Sequence, residues 1–232
     1  MKKFIITVLA SIFMLSTTAF AGSLQIGTKV STTFIEAEGN EVTTTGTVTG
    51  GAKNTNTHSA DNNVTLGSVF AEYSLGSDIW GEEGNEITFG YQYTFGEADV
   101  SDSLSTRSES AEDAAGSGSS GSVTYSANAE VSDYANYYIE MPVQGALFVK
   151  LGMSQIDVIT KEDADHEGSY GDTQLDGLNY GVGVKGLYGP LQLKLAYEIT
   201  DWDQLKLTST TSNVITADLD TSELAVSVAY RF

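Results

Sequence analysis

The C-terminal segment "SELAVSVAYRF" alternates strictly between two sets of side chains. Leu224, Val226, Val228, Tyr230 and Phe232 form an apolar set, and the residues between them are small or polar. Successive side chains of a β-strand point to opposite faces, so this segment predicts a strand with one apolar face. Such a strand has to cover its apolar face with either a protein core or lipid.

Seven further segments repeat this period of two. Each is about ten residues long, and "EITFGYQYTF" at 86–95 is the clearest of them. The seven segments are 23–34, 67–75, 86–95, 134–141, 146–154, 178–186 and 191–199. Alternating segments of about this length, separated by turn residues, are the signature of a transmembrane β-barrel. With the C-terminal segment, the sequence predicts eight strands.

The connections between these segments alternate in length. Three are short, at 76–85, 142–145 and 188–190, and four are long and polar, at 36–63, 96–133, 157–176 and 201–220. An even-stranded barrel with both termini in the periplasm has short periplasmic turns and longer outer loops. The sequence therefore predicts an all-β, eight-stranded, antiparallel up-and-down barrel. Ten strands remain open if 123–131 is counted separately, although we favour joining it to the fourth strand.

The first 21 residues are predicted to be a secretory signal peptide. Lys2 and Lys3 precede an apolar run from Phe4 to Leu15, which is too short to span a membrane as a helix. A small-x-small cleavage site follows at 19–21, so export would leave residues 22–232 as one barrel domain.

Composition excludes several classes of function. Removing Lys2 and Lys3 from the 11 basic residues leaves 9 against 31 acidic residues. Nucleic acid is then a poor partner, because its phosphates require basic surface. The chain has no cysteine, so neither a disulfide framework nor a thiolate metal site can form.

The alternating strands together with the C-terminal motif resemble the small bacterial outer-membrane β-barrel proteins, namely the opacity-protein and outer-membrane-protein-A-like transmembrane barrels. Phe232 at the terminus and Tyr230 two residues earlier resemble the signal that the barrel-assembly machinery recognises in those families. The resemblance implies an outer-membrane location and contacts with outer-membrane lipids and lipopolysaccharide. It also implies that Leu224, Val226, Val228, Tyr230 and Phe232 act as the assembly signal.

The inner faces of the predicted strands carry charges of both signs. Eight strands enclose an interior just wide enough for side chains to fill, and buried charges are costly unless they are paired. We therefore predict a polar plug of ion pairs. Its predicted members are Lys29, Glu72, Glu140, Lys150, Lys185, Lys194, Glu198 and Arg231, with Glu86 and Glu223 as further candidates. The pairs either hold the barrel shut or form a gate for small solutes.

Two histidines raise the possibility of a lipid-modifying enzyme at the membrane rim. His58 has Ser59 and Asp61 nearby, and His166 has Glu167 and Ser169 nearby. Loop serines and acids are abundant in this chain, so these neighbours are weak evidence for a catalytic base and nucleophile. The acidic run "KEDADHEGSYGD" does not have EF-hand spacing and favours a solvated loop. No cofactor or metal is predicted.

The sequence therefore predicts a non-enzymatic, integral outer-membrane protein of porin-like or structural role. Its long acidic loops suit interaction with a surface ligand. A narrow gated channel for ions or small solutes is the first alternative, and a rim enzyme that modifies outer-membrane lipid is the second.

Overall fold

The computed structural model describes residues 22–44, 53–75, 86–101, 105–110, 122–163, 169–210 and 212–232. These residues form β-strands and turns. The strands are β1 Gly22–Thr44, β2 Lys53–Leu75, β3 Ile87–Phe95, β4 Ala98–Asp99, β5 Ser105–Ser110, β6 Ser122–Gln144, β7 Leu147–Asp163, β8 Thr173–Tyr188, β9 Leu191–Trp202, β10 Leu205–Thr208 and β11 Val214–Arg231. Within the described part of the chain, no helix is long and apolar enough to cross a membrane. The predicted signal peptide lies outside the described residues.

Eight of the strands close into an antiparallel barrel. The hydrogen-bonded order is β1, β2, β3, β6, β7, β8, β9 and β11, and β11 pairs with β1 to complete the ring. Every pair in the ring is antiparallel, as consecutive up-and-down strands require. The predicted eight-stranded barrel is confirmed. Residues 123–131 belong to β6, so joining them to the fourth ring strand is also correct.

One end of the barrel carries tight turns, and we call it the turn end. Gly145 and Gly189 occupy the turns β6–β7 and β8–β9 with φ of 57° and 60°. A left-handed backbone is accessible to glycine without steric cost, which explains its use at both turns. The third predicted short connection, 76–85, lies outside the described residues. The opposite end is called the loop end.

The prediction of four long loops at the loop end is only partly correct. Most of the described residues in those regions form strand extensions, such as the β1–β2 ladder that continues to the pair Thr44 and Lys53. The short strands β4 and β5 pair with β6, and β10 pairs with β11. The sequence pattern misses these extensions because their outer faces are polar, so the apolar alternation that marks a lipid-facing strand ends before the strand does.

Around its middle and turn end, the barrel carries an apolar outer belt. Val30 is 59% exposed, Met153 is 72% exposed and Val226 is 58% exposed, although all three belong to paired strands. On the same strands the inner neighbours are polar and buried, such as Lys29 and Ser154. Apolar outside and polar inside is the arrangement of a barrel that meets lipid.

Towards the loop end, this polarity is reversed. Outward-facing residues become acidic, as at Glu36, Asp157, Asp176 and Asp220, and all but the half-buried Asp157 are exposed. Inward-facing residues become apolar and buried, and they form one hydrophobic cluster that we call the apolar layer. Its members are Ile35, Ala98, Val100, Ile156, Val158, Leu175, Trp202 and Leu219. The loop-end half is therefore organised like a barrel surrounded by water.

Candidate functional site: the barrel lumen

The lumen of the barrel is crossed by a group of buried ion pairs, which we call the ion-pair layer. Its central contact is made by Lys194 of β9, whose Nζ lies 2.5 Å from Glu72 Oε1 and 2.8 Å from Glu140 Oε2. Glu72 is on β2 and Glu140 is on β6, so one lysine links three strands across the lumen. Lys185 Nζ lies 4.0 Å from the same carboxylate of Glu140.

A second set of pairs centres on Glu198. Its carboxylate accepts a 2.7 Å hydrogen bond from Lys150 Nζ and lies 3.8 Å from Lys29 Nζ. Lys29 also donates a hydrogen bond to Glu223 on β11. The strands β1, β7, β9 and β11 are thereby connected through side chains inside the barrel as well as through their backbones.

A third pair lies at the turn end of the lumen. Arg231 Nη2 donates a 2.6 Å hydrogen bond to Glu86 Oε1, and the Arg231 side chain is 20% exposed. Arg231 is the penultimate residue and Glu86 immediately precedes β3. This contact closes the lumen beside the C-terminus.

Aromatic side chains fill the lumen between the charges. Phe148 is 1% exposed and Phe70 is 5% exposed. The Tyr138 hydroxyl donates a 2.7 Å hydrogen bond to Glu72 Oε1, and Lys150 Nζ lies 4.0 Å from the centre of the Tyr138 ring. A cation over an aromatic face is attracted to the ring electrons, so the rings stabilise the lysines as well as excluding water.

Glycines on neighbouring strands leave room for these rings. A Cβ at Gly183 would lie 2.5 Å from Phe148 Cζ and 2.6 Å from the Leu195 carbonyl oxygen. Gly183, in the run "GVGVKG" within β8, therefore leaves room for the Phe148 ring, whereas a Cβ at Gly186 of the same run would meet no atom within 4 Å. A nucleotide-binding turn would require a helix after the glycines.

A small cavity of about 20 Å³ lies within the ion-pair layer. Among the described residues, Glu72 Oε2, which borders it, is a buried oxygen with no hydrogen-bond partner in the protein, and so is Asn136 Oδ1 elsewhere in the lumen. One water molecule needs about 10–15 Å³ of such volume, so the cavity has room for one or two. Polar groups therefore face a space of water size in the middle of the plug.

All eight lumen residues proposed from the sequence lie on the inner face of the barrel. Seven of them are buried: Lys29, Glu72, Glu140, Lys150, Lys185, Lys194 and Glu198; Arg231 is partly exposed at the turn end. Sequence reasoning misses the contribution of Tyr138 and Phe148, since an aromatic residue on the polar face does not fit the alternation. It also misses the apolar layer, because the alternation ends before the strands do.

The residues of the proposed assembly signal lie on the outer face of β11. Leu224, Val226 and Val228 are 41–58% exposed within the apolar belt, and the rings of Tyr230 and Phe232 pack with centroids 4.9 Å apart. Their recognition by an assembly machinery remains a prediction.

Above the belt, four exposed carboxylates lie side by side across four strands. Glu36 of β1 is directly opposite Asp61 of β2 on one side and Asp220 of β11 on the other, and Asp220 is opposite Asp201 of β9. We call these four residues the acidic row. Partial burial, followed by the nearby charges of Asp201 and Asp218, raises the pKa of Asp220 above its usual value.

Of the two histidines proposed for rim chemistry, only His58 is among the described residues. His58 lies on β2, opposite Gly39 in the ladder, and Ser59 is the next residue of the same strand. Neighbouring side chains of a strand point to opposite faces, so this geometry separates His58 from Ser59 and from Asp61. His166 and Glu167 lie outside the described residues.

A scan against protein-family models gives no match, and a search of curated proteins gives none either. Among solved structures, the barrel is similar to Neisserial surface protein A, with 12% identity, 91% of this chain and 99% of that chain covered, and a TM-score of 0.39. It is similar to Ail, the attachment invasion locus protein of Yersinia pestis, at 13% identity, 93% and 100% coverage and a TM-score of 0.39. It is also similar to the outer membrane protease OmpT of Escherichia coli, at 10% identity, 93% and 99% coverage and a TM-score of 0.48. These similarities concern the fold.

Proposed function

We propose that the protein is a non-enzymatic, integral outer-membrane barrel whose lumen is closed to aqueous solutes at rest. The observation that carries this proposal is the contact of Lys194 with both Glu72 and Glu140 across the lumen, beside buried aromatic rings. An ion passing along the barrel would have to displace a buried charge pair, which is costly unless a new partner replaces the old one. Of the porin-like and structural roles predicted from the sequence, a closed lumen favours the structural one.

In this proposal the loop end faces the cell exterior and carries the interactions. The acidic row and the neighbouring carboxylates of the extensions present a negatively charged collar above the apolar belt. Outer-membrane lipids and lipopolysaccharide contact the belt, and a surface ligand would meet the collar. Replacing the four acids of the row by their amides is expected to reduce binding of a basic surface ligand, whereas a ligand bound elsewhere would be unaffected.

The first test is single-channel conductance of refolded residues 22–232 in a planar lipid bilayer. Folding is verified in the same sample by circular dichroism and by the heat-dependent shift in gel mobility. The proposal predicts a silent bilayer for the unmodified barrel. Frequent, reproducible openings of the unmodified barrel would contradict it.

A narrow gated channel is the second candidate, and the cavity within the ion-pair layer favours it. Because Glu72 Oε2 has no protein partner among the described residues, Lys194 and Lys150 have a nearby carboxylate oxygen to which they can move. Rare openings that change in Lys150→Ala or Glu72→Ala would establish this candidate. Lys206→Ala is the matched control, since Lys206 is exposed on β10.

A rim enzyme is the least supported candidate, since the strand geometry separates His58 from its neighbouring serine. Mass spectrometry of lipid A from cells that express the protein, or its His58→Ala or His166→Ala variants, tests it directly. A modification that depends on either histidine would overturn the non-enzymatic proposal.

A further inference from the structure

A second cavity, of about 60 Å³, lies in the loop-end half of the barrel beside the apolar layer. Ile35, Ile156, Trp202 and Leu219 of that layer line its wall. Its polar boundary includes threonine hydroxyls and Glu223, which also belongs to the ion-pair layer. The cavity is therefore an apolar chamber whose polar side adjoins the closed part of the lumen.

The size of this chamber defines what it can hold. At about 10–15 Å³ per water molecule in this measure, it has room for roughly four to six waters. An apolar protein cavity of about 150 Å³ is known to bind a whole benzene ring, so this chamber, at less than half that volume, takes in one edge of such a ring and leaves the rest at its open side.

The chemistry of the lining favours an apolar occupant over water. A buried water needs two to four polar partners, and several polar groups of the boundary are already engaged. Tyr134 shares a 3.1 Å hydrogen bond with Ser154, Thr221 accepts a 3.1 Å hydrogen bond from Trp202 Nε1, and Glu223 accepts one from Lys29. An apolar molecule would break no hydrogen bond of these groups and would gain van der Waals contact with the apolar wall of the chamber.

In the described part of the chain, no backbone ladder joins the two sides of the barrel wall beside this chamber. The β2–β3 ladder ends at the pair Gly67 and Phe95, although β2 extends back to Lys53. After Gly96, which has a φ of 100°, β4 pairs with β6. The described residues show one link across the resulting seam, a 2.6 Å hydrogen bond from Asn62 Nδ2 to the Asp99 carbonyl oxygen.

The chamber reaches this seam. Leu66 lies on the β2 side of it, and Gly96 and Ala98 lie on the other side, and all three line the chamber. Phe95, which is 53% exposed on the outer face, marks the edge of the apolar belt at the same point. A path from the lipid boundary into the chamber therefore passes through the seam rather than through the ion-pair layer.

We propose that this chamber is a binding site for a small apolar molecule of about the size of a benzene ring, which enters through the seam between β2 and β4. The site is independent of conductance, because its occupant does not cross the ion-pair layer. Trp202 is a natural reporter of occupancy, since its ring lines the chamber.

The test uses bromobenzene, whose heavy atom quenches tryptophan fluorescence on contact. The barrel carries Trp80→Phe, so that Trp202 is the remaining tryptophan of the two in the chain, and it is reconstituted in lipid nanodiscs. Binding predicts quenching that saturates with bromobenzene concentration. Ala98→Phe, which fills the chamber, is expected to abolish the saturable component, whereas Ala71→Phe on the lipid-facing side of β2 is expected to retain it.

Quenching that rises linearly in all three proteins would mean that bromobenzene only partitions into lipid, and this result would overturn the proposal. Equal saturable quenching in the Ala98→Phe protein would overturn it as well. Should Ala98→Phe fail to fold, Leu66→Phe at the seam takes its place under the same criteria. The larger quencher 9-bromoanthracene is expected to show no saturable component, and saturation by it would contradict the inferred size.

Discussion

The ion-pair layer and the apolar layer occupy the same barrel and are built from the same strands. On β1, for example, Lys29 belongs to the first and Ile35 to the second, six residues further along the same inner face. The two layers differ in the residues that lie on the outer side of the barrel wall around them. Beside Lys29 the outward residue is Val30, which is highly exposed on the apolar belt, and beside Ile35 it is the exposed Glu36.

This difference shows how the environment outside a barrel determines what its inside must be. Where lipid surrounds the wall, apolar side chains are already accommodated outside, and the interior can be specified by charge pairs and hydrogen bonds. Where water surrounds the wall, burial of apolar surface inside is the main source of stability. The two layers should therefore respond differently to mutation.

Removing the central cation of the ion-pair layer is expected to have the largest effect. Lys194→Met would leave the carboxylates of Glu72 and Glu140 buried without their shared partner, and breaking a buried pair costs about 3–5 kcal/mol. The measurement is the free energy of unfolding in urea, with the barrel in phospholipid vesicles. Lys206→Met on the exposed strand β10 is the control, with an expected change within about 0.5 kcal/mol.

Adding Glu140→Gln to Lys194→Met is expected to restore part of the lost stability, because one of the two unpaired carboxylates is then neutral. If Lys194→Met unfolds at the same urea concentration as the unmodified barrel, the ion pairs do not hold the lumen together. Stability would then not come from the ion-pair layer in the lipid-facing half of the barrel.

The apolar layer is tested by two isoleucines of β1. Ile35 is 1% exposed inside the barrel, and Ile26 is 47% exposed on the belt. Ile35→Ala is expected to cost about 2–5 kcal/mol, since it leaves a void in the apolar layer that the surrounding side chains fill only in part. Ile26→Ala is expected to cost less, because lipid chains occupy the space. Equal losses in the same urea measurement would show that the two environments do not differ as proposed.

A third prediction concerns two glycines of β8. Gly183→Ala would push a methyl group against the Phe148 ring and the Leu195 carbonyl, and overpacking of this kind costs about 1–3 kcal/mol. Gly186→Ala is the control, because a Cβ there meets no atom within 4 Å. Phe148→Leu is expected to offset part of the Gly183→Ala loss in a double-mutant cycle. If the two losses simply add, Gly183 does not serve to admit the ring.

The belt and the lumen charges could be predicted from the sequence because each strand there has one face of a single type. Val226, Val228 and Tyr230 alternate with small or polar residues, and that alternation fixes which face meets lipid. The individual partners could not be predicted. Lys194 contacts Glu72 on a strand 122 residues away, and that contact depends on the register of several ladders.

The apolar layer could have been found from a reversal of the pattern. In "FIEAE" and "SQIDVI" apolar residues lie at inward-facing positions, whereas acidic residues begin at the outward-facing positions. The predicted segments end at residues 34 and 154, so Ile35 and Ile156 fall just outside them. The seam has no such signal, since the end of the β2–β3 ladder follows from the path of the chain after Gly96.

The acidic row offers the smallest and most specific test of the water-facing half. Since the pKa of Asp220 is raised in the folded barrel, its ionised form is less favourable there than in the unfolded chain, so ionisation lowers stability above the unfolded-state pKa. This cost decreases as the pH falls below the folded-state pKa and is absent below the unfolded-state pKa. Asp220→Asn is therefore expected to stabilise the barrel at neutral pH by less than about 0.5 kcal/mol, because solvent screens the exposed charges.

The gain from Asp220→Asn should shrink as the pH falls below the raised folded-state pKa, and it should be absent well below about pH 4, where the carboxyl is protonated in both states. It should also shrink in high salt, which screens Asp201 and Asp218 from Asp220. Urea unfolding at neutral and acidic pH, with and without added salt, provides the four values needed. A gain that persists unchanged at acidic pH and in high salt would show that the substitution acts through packing. The outer face of the loop-end half would then not be governed by charge.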